Sequence, residues 1–193
     1  MIFADVKSKA QAIHILAISG SLREVSSNTA LLQAAIALSP ANIEMKLYRR
    51  LGDLPHFNPD LEPMEPPAVI DLRRQLRWSD GLIISCPEYA HGVPGVLKNA
   101  LDWLVSGEEF VGKPIALFNA SPRAIHAQAS LTEIVTTMAG RIVPEASITV
   151  SLLGKKLDAG EIVADSEVSS EVKNAIVAFA IAIEQFRAEA VEL

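Results

Sequence analysis

The hydrophobic positions of this chain switch repeatedly between short continuous runs and the three-to-four spacing of helices. Ala12 to Ile18 is an apolar run broken only by His14, the pattern of a strand buried on both faces. It ends in a Gly/Ser loop, after which Thr29 to Leu38 sets Leu31, Leu32, Ala35 and Leu38 at helical spacing, with Ser26, Ser27 and Asn28 as candidate caps. Ile43 to Leu47 alternates apolar and polar residues as a shorter second strand, and the proline-rich segment Leu51 to Pro67 predicts a long loop. A helix is expected over Ala68 to Trp78, with Val69, Leu72 and Leu76 on one side. Asp80-Gly81 then turns the chain into a strand, Leu82 to Cys86, that Pro87 stops.

Further on, Gly95 to Val105 carries the apolar stripe Val96, Leu97, Ala100, Leu101 and Leu104 behind Pro94, and a fourth strand is expected at Ile115 to Phe118. Ile125 to Met138 reads as a helix, Ile142 to Val150 as a fifth strand interrupted near Pro144, and Val172 to Phe186 as the final helix. The charged stretch Leu152 to Ser169, with Lys155, Lys156, Asp158, Asp165 and Glu167, reads as an exposed loop. Strands alternating with helices imply an α/β fold, a parallel sheet covered on both faces, because each right-handed crossover lays its helix on one of them. No repeat or linker divides the chain, so residues 12–193 read as one domain behind an extension, residues 1–11.

Length and charge narrow the functional classes. With 193 residues, half of them hydrophobic, the chain can bury a sizeable core. Its net charge of -6 argues against a general affinity for nucleic acid or anionic membranes, so any anion must be held by local positive charge. The run Ala175 to Ile183 falls short of the roughly 18 residues of a membrane span. Being apolar almost all round, it offers one face to the sheet and another to a partner subunit or neighbouring element. Lys7 and Lys9 before the first apolar run superficially suggest an export signal, but that run is short, contains His14 and makes a better buried strand. A single cysteine, Cys86, excludes an intramolecular disulfide, is compatible with a reducing cytoplasm and reads as a small buried hydrophobe at a strand end.

Two loops at strand ends carry the candidate chemistry, since ligands of open parallel sheets gather there. The first offers the hydroxyls of Ser19, Ser21, Ser26 and Thr29, the amide of Asn28, a permissive glycine at Gly20 and the guanidinium of Arg23. Donors of this kind at the start of a helix suit a phosphomonoester, although a turn that merely caps the helix would look similar. The loop lacks the Gly-Lys-Ser/Thr ending of an ATP-type phosphate loop, the spaced glycines of a dinucleotide motif and any nucleophilic cysteine. The second runs from Cys86 to Gly95. His91 and His126 lack ligand partners at useful spacing and read as ordinary polar residues, with no metal expected.

Together the segments GSLR..S.N and PEY....PG.LKNA.DW resemble the NADPH-dependent FMN reductase family, densely over Ile13 to Asn28 and Asp80 to Trp103. The resemblance implies a flavodoxin-like three-layer sandwich with strand order 2-1-3-4-5. It also implies an FMN cofactor, hydride delivery from NADPH or NADH, and a small acceptor such as a quinone, free flavin, chromate or azo compound. Ser19, Ser21, Arg23, Ser26, Asn28 and Thr29 would then surround the FMN phosphate, while Pro87, Glu88 and Tyr89 line the isoalloxazine ring. A homodimer or homotetramer is implied as well, and no catalytic side chain is required because the flavin carries the chemistry. Two departures stand out. Ala90-His91 replace the asparagine that usually follows PEY, and Asn119 to His126 contain no glycine where the family has a serine and a glycine-rich loop. Ser121 and Arg123 either assist the flavin or the NADPH phosphate or form a plain surface loop. Alternative readings are a flavodoxin-like electron carrier and a flavin-binding sensor.

Overall fold

Ile13, Ile15 and Ala17 point to one side of strand β1 (Ile13–Ser19) and Leu16 and Ile18 to the other, each side entering a separate hydrophobic cluster. Both faces of the strand are therefore buried, as a continuous apolar run requires. The computed structural model describes residues 12–152 and 158–191, so the extension over residues 1–11 lies outside the described residues. Strand β1 pairs in parallel with β2 (Ile43–Tyr48) and β3 (Gly81–Ser85), β3 pairs with β4 (Pro114–Asn119), and β4 with β5 (Arg141–Ile142). The resulting order, β2-β1-β3-β4-β5, is the flavodoxin-like one, with β6 (Ile148–Thr149) also pairing β4.

Pro144 divides the last strand. A 3-10 turn at Pro144–Ala146 separates β5 from β6. Across this break Leu117 donates its N–H to Ser147 Oγ at 3.1 Å, and that hydroxyl donates to the Val143 carbonyl at 2.9 Å, so a side chain replaces the missing rung.

Helices α2 (Pro67–Trp78), α3 (Gly95–Asp102) and α4 (Ile125–Thr137) cover one face, through residues such as Leu72, Leu97 and Leu131. The other face carries α1 (Ser27–Leu38), α5 (Ala159–Ala164) and α6 (Ser166–Val191). Helix α5 corrects the expectation of an exposed loop over Leu152 to Ser169, of which residues 153–157 lie outside the described residues. Asp158 accepts the Glu161 N–H at 2.9 Å while Glu161 accepts the Asp158 N–H at 2.8 Å, a reciprocal cap that starts the helix and lets Ile162 bury. The final helix also begins before the expected Val172. Its Val172, Ile176, Phe179 and Ile183 are buried, and Gly81 makes room for them, because a Cβ there would fall 2.8 Å from Phe179 and Ile183.

The proline-rich segment is ordered by helix α3. Asn99 Nδ2 and Trp103 Nε1 both donate to the Pro55 carbonyl, at 2.9 and 2.8 Å, and Phe57 donates its N–H to Asn99 Oδ1 at 2.7 Å. Two short 3-10 turns, Leu51–Asp53 and Pro59–Met64, complete the strap. No described helix is long and apolar enough to cross a membrane.

Candidate functional site

Strands β1, β3 and β4 end side by side, which brings three loops to one edge of the sheet. The first is seated by Gly20, whose N–H donates to the Ser85 carbonyl at 2.8 Å. A Cβ at Gly20 would fall 3.0 Å from Leu97 and 3.2 Å from Pro87, so its lack of a side chain lets the first loop lie against the second. Within it, the Ser19 and Thr29 hydroxyls bond at 2.8 Å, and the N–H groups of Ser21 and Arg23 reach Ser19 Oγ and Ser21 Oγ, each at 3.3 Å. Ser26 caps α1 by accepting the Thr29 N–H, and Asn28 Oδ1 accepts from Ser85 Oγ at 2.8 Å. Helix geometry leaves the Ser27 and Asn28 N–H groups without intrahelical acceptors at the positive end of the dipole.

The arginines sort into two sets. Arg50, Arg73, Arg74, Arg77, Arg141 and Arg187 each join an ion pair with a carboxylate. Arg23, Arg49 and Arg123 join none among the described residues, and all three line the same cleft. Arg49 follows β2, Arg23 lies in the loop after β1, and Arg123 follows β4, so the unpaired cations are spread along the edge.

In the second loop Cys86 is buried and its S–H donates to the Pro87 carbonyl at 3.2 Å. Burial, helped by the Glu88 charge, pushes the thiol up to about 12, which removes it as a nucleophile near neutrality. Glu88 accepts the N–H groups of His126 and Ala127, at 2.8 and 2.9 Å, and thereby caps α4 from a different loop. The bond from the Ala127 N–H, joined by that from His126, holds its carboxyl below the usual value. Tyr89 and Gly92 exchange both backbone hydrogen bonds, at 3.1 and 3.0 Å, around a two-residue turn in which Ala90 and His91 take φ of 50° and 57°. The His91 ring stacks on that of His126.

The glycine-free third loop is held by its own side chains. Asn119, buried at the end of β4, accepts the Ser121 N–H at 3.1 Å, and Ser121 Oγ accepts the Arg123 N–H at 3.3 Å.

Ser19, Ser21, Arg23, Ser26, Asn28, Thr29, Pro87, Glu88, Tyr89 and Ser121 all line one open cleft of about 1310 Å³. Sequence reasoning missed Tyr48, Arg49, Asn119 and Asp158 in the same lining. Arg49 and Asn119 were findable, since each sits at the carboxyl end of a predicted strand.

The cleft suits FMN in kind. A dianionic phosphate needs fixed donors and unpaired cations, which the first loop supplies, and a flat ring needs the partly apolar shelf of Pro87 and Tyr89.

Comparison with known proteins points the same way. Residues 13–152 match the family model described as NADPH-dependent FMN reductase. An NAD(P)H-dependent FMN reductase of Pseudomonas aeruginosa is 45% identical over 112 residues, covering 56% of this chain and 60% of that protein. The match thus spans less than two thirds of that relative's length. A quinone reductase of Escherichia coli is 28% identical over 162 residues, covering 79% of this chain and 86% of the relative. Among solved structures, the flavoenzyme FerB, an NAD(P)H:(acceptor) oxidoreductase from Paracoccus denitrificans, superposes with a TM-score of 0.76 at 28% identity, covering 91% of this chain and 99% of FerB.

Proposed function

This chain belongs to the NADPH-dependent FMN reductase family, a family of oxidoreductases, and on that premise we propose that it uses NADPH or NADH to reduce a small acceptor such as a quinone. Bound FMN would supply the two-electron redox chemistry at its ring. The protein's share is binding and orientation. Arg23, with the hydroxyls and amides of Ser19, Ser21, Ser26, Asn28 and Thr29, holds the phosphate, and Arg49 adds a second positive charge from the neighbouring strand exit. Pro87, Glu88 and Tyr89 form the shelf for the ring, and Ser121 faces its other edge from the third loop. Glu88 does this through its backbone, because its carboxylate is committed to capping α4.

The observation that carries this reading is that Arg23, just before α1, joins no ion pair among the described residues, so that a phosphate there gains a cation and the helix dipole together. Adding FMN to the purified protein and then NADPH without oxygen tests it by visible absorption. A shifted flavin band followed by bleaching is expected. A bound flavin that NADPH and NADH leave oxidised would identify an electron carrier, and an unshifted band would remove the cofactor assignment.

A homodimer or homotetramer is part of the proposal. Leu22, Val25 and Tyr89 stand exposed at the cleft, an apolar rim that a second copy could cover. Sedimentation over a range of concentrations should show a stable oligomer; a monomer throughout would dismiss it.

A further inference from the structure

Among the cleft guanidiniums that join no ion pair among the described residues, Arg123 stands apart from the loop assigned to the FMN phosphate. It follows β4, next to β3, whose exit carries Pro87 to Tyr89, whereas Arg23 and Arg49 belong to the exits of β1 and β2 on the far side of β3. Its backbone is fixed. The Asn119 and Ser121 side chains accept the N–H groups two residues on, and Ala124 donates its N–H to the Ser121 carbonyl at 3.1 Å. A charge on a pinned loop loses little freedom when it meets a ligand. Nor is the charge already spent, since the nearby Glu88 carboxylate is directed at the backbone of His126 and Ala127. The cleft of about 1310 Å³ also exceeds the roughly 300–1,000 Å³ that a single small-molecule site needs, which leaves space for a second ligand beside the first.

We propose that Arg123 is a specificity residue that anchors a phosphate of the nicotinamide dinucleotide at the ring end of the cleft. This rests on the flavin-reductase reading above. A guanidinium pairs bidentately with phosphate oxygens, so the ligand recognised is the diphosphate bridge shared by NADH and NADPH or the 2′-phosphate of NADPH alone.

The test uses FMN-loaded protein, with the loading verified by the flavin spectrum before any donor is added. A failure to load overturns the reductase reading and is visible as such. In Arg123→Ala the KM for the dinucleotide should rise about tenfold. A rise for NADPH alone identifies the 2′-phosphate, and a rise for both donors the diphosphate. N-benzyl-1,4-dihydronicotinamide, a donor with no phosphate, should keep its kcat/KM within about twofold. Calorimetric titration with ADP-ribose and with adenosine 2′,5′-bisphosphate should show the matching loss of binding, and Arg123→Lys, which keeps the charge without the planar fork, should restore only part of it. Equal losses with all three donors, or no loss with either dinucleotide, would overturn the proposal.

Discussion

His91 and His126 stack with ring centroids 4.3 Å apart and planes inclined by 22°. His91 lies on the loop after β3 and His126 in the first turn of α4, and Glu88 joins the same two elements by capping α4. The loop after β3 and the start of α4 thus meet in space: the residue that follows Ala90 packs against the first turn of that helix. The turn that presents His91 is strained at Ala90, where φ is 50°. An alanine in the left-handed region costs about 1–2 kcal/mol, and asparagine tolerates it far better. Ala90→Asn should therefore raise stability to urea by about 1 kcal/mol, without loss of packing because Ala90 is exposed. An unchanged or lower unfolding midpoint would show that the turn carries no such strain.

Glu88 gives this clasp a pH dependence. Its carboxyl is held below the usual value, chiefly by the Ala127 N–H. A carboxylate with a depressed folded pKa stabilises the protein above its ordinary value of 4.5, and the contribution is lost as pH falls through the folded value. At neutral pH the wild type should be more stable than Glu88→Gln, and the gap between their urea midpoints should close as pH falls below 4.5 and the wild-type carboxyl protonates. A gap that persists in acid would mean that Glu88 acts by shape and not by charge.

Much of this architecture is legible along the chain, because each strand of the sheet's centre is a continuous apolar run and each of its helices keeps one apolar stripe. The loops of the cleft are legible for the same reason, since they begin where those runs stop. Helix α5 was hidden because it buries Ile162 fully and little else, and its signal is a cap, Asp158 with Glu161, embedded in charges that otherwise read as solvent-exposed. The His91–His126 contact and the free state of Arg49 and Arg123 are tertiary facts. No spacing along the chain encodes which arginines find carboxylates, and here the ones without them collect at one edge.

The LKNALDW helix does its work through the strap it holds. In Asn99→Ala the Phe57 N–H loses its acceptor and the Pro55 carbonyl keeps only Trp103. Leaving a partly buried donor unpaired costs about 1–3 kcal/mol, so the urea midpoint should fall accordingly and protease cleavage within residues 51–66 should quicken. Leu51 lines the cleft, and Gly52 lies under Leu22 of the first loop, where a Cβ would sit 3.3 Å from the leucine methyls. FMN affinity should drop with the strap. Cleavage no faster than in the wild type would detach these hydrogen bonds from the order of the segment.

The phosphate assignment makes the sharpest demand, because it separates two ligands that differ in one group. Arg23 meets no carboxylate among the described residues, so its charge is available, and a hydrogen bond to a charged partner contributes about 1.5–3 kcal/mol. Arg23→Ala should weaken FMN binding by that amount, read as the fluorescence change on titration, and leave riboflavin, which has no phosphate, nearly unaffected. Arg49→Ala should act in the same direction but less, since Arg49 reaches the site from β2 and not from the loop itself. Added salt should erode the FMN affinity of the wild type more than that of Arg23→Ala, because screening acts on the charge that the variant no longer has. Equal losses for FMN and riboflavin would place Arg23 in the support of the ring, and the phosphate would have to be sought at another part of the cleft.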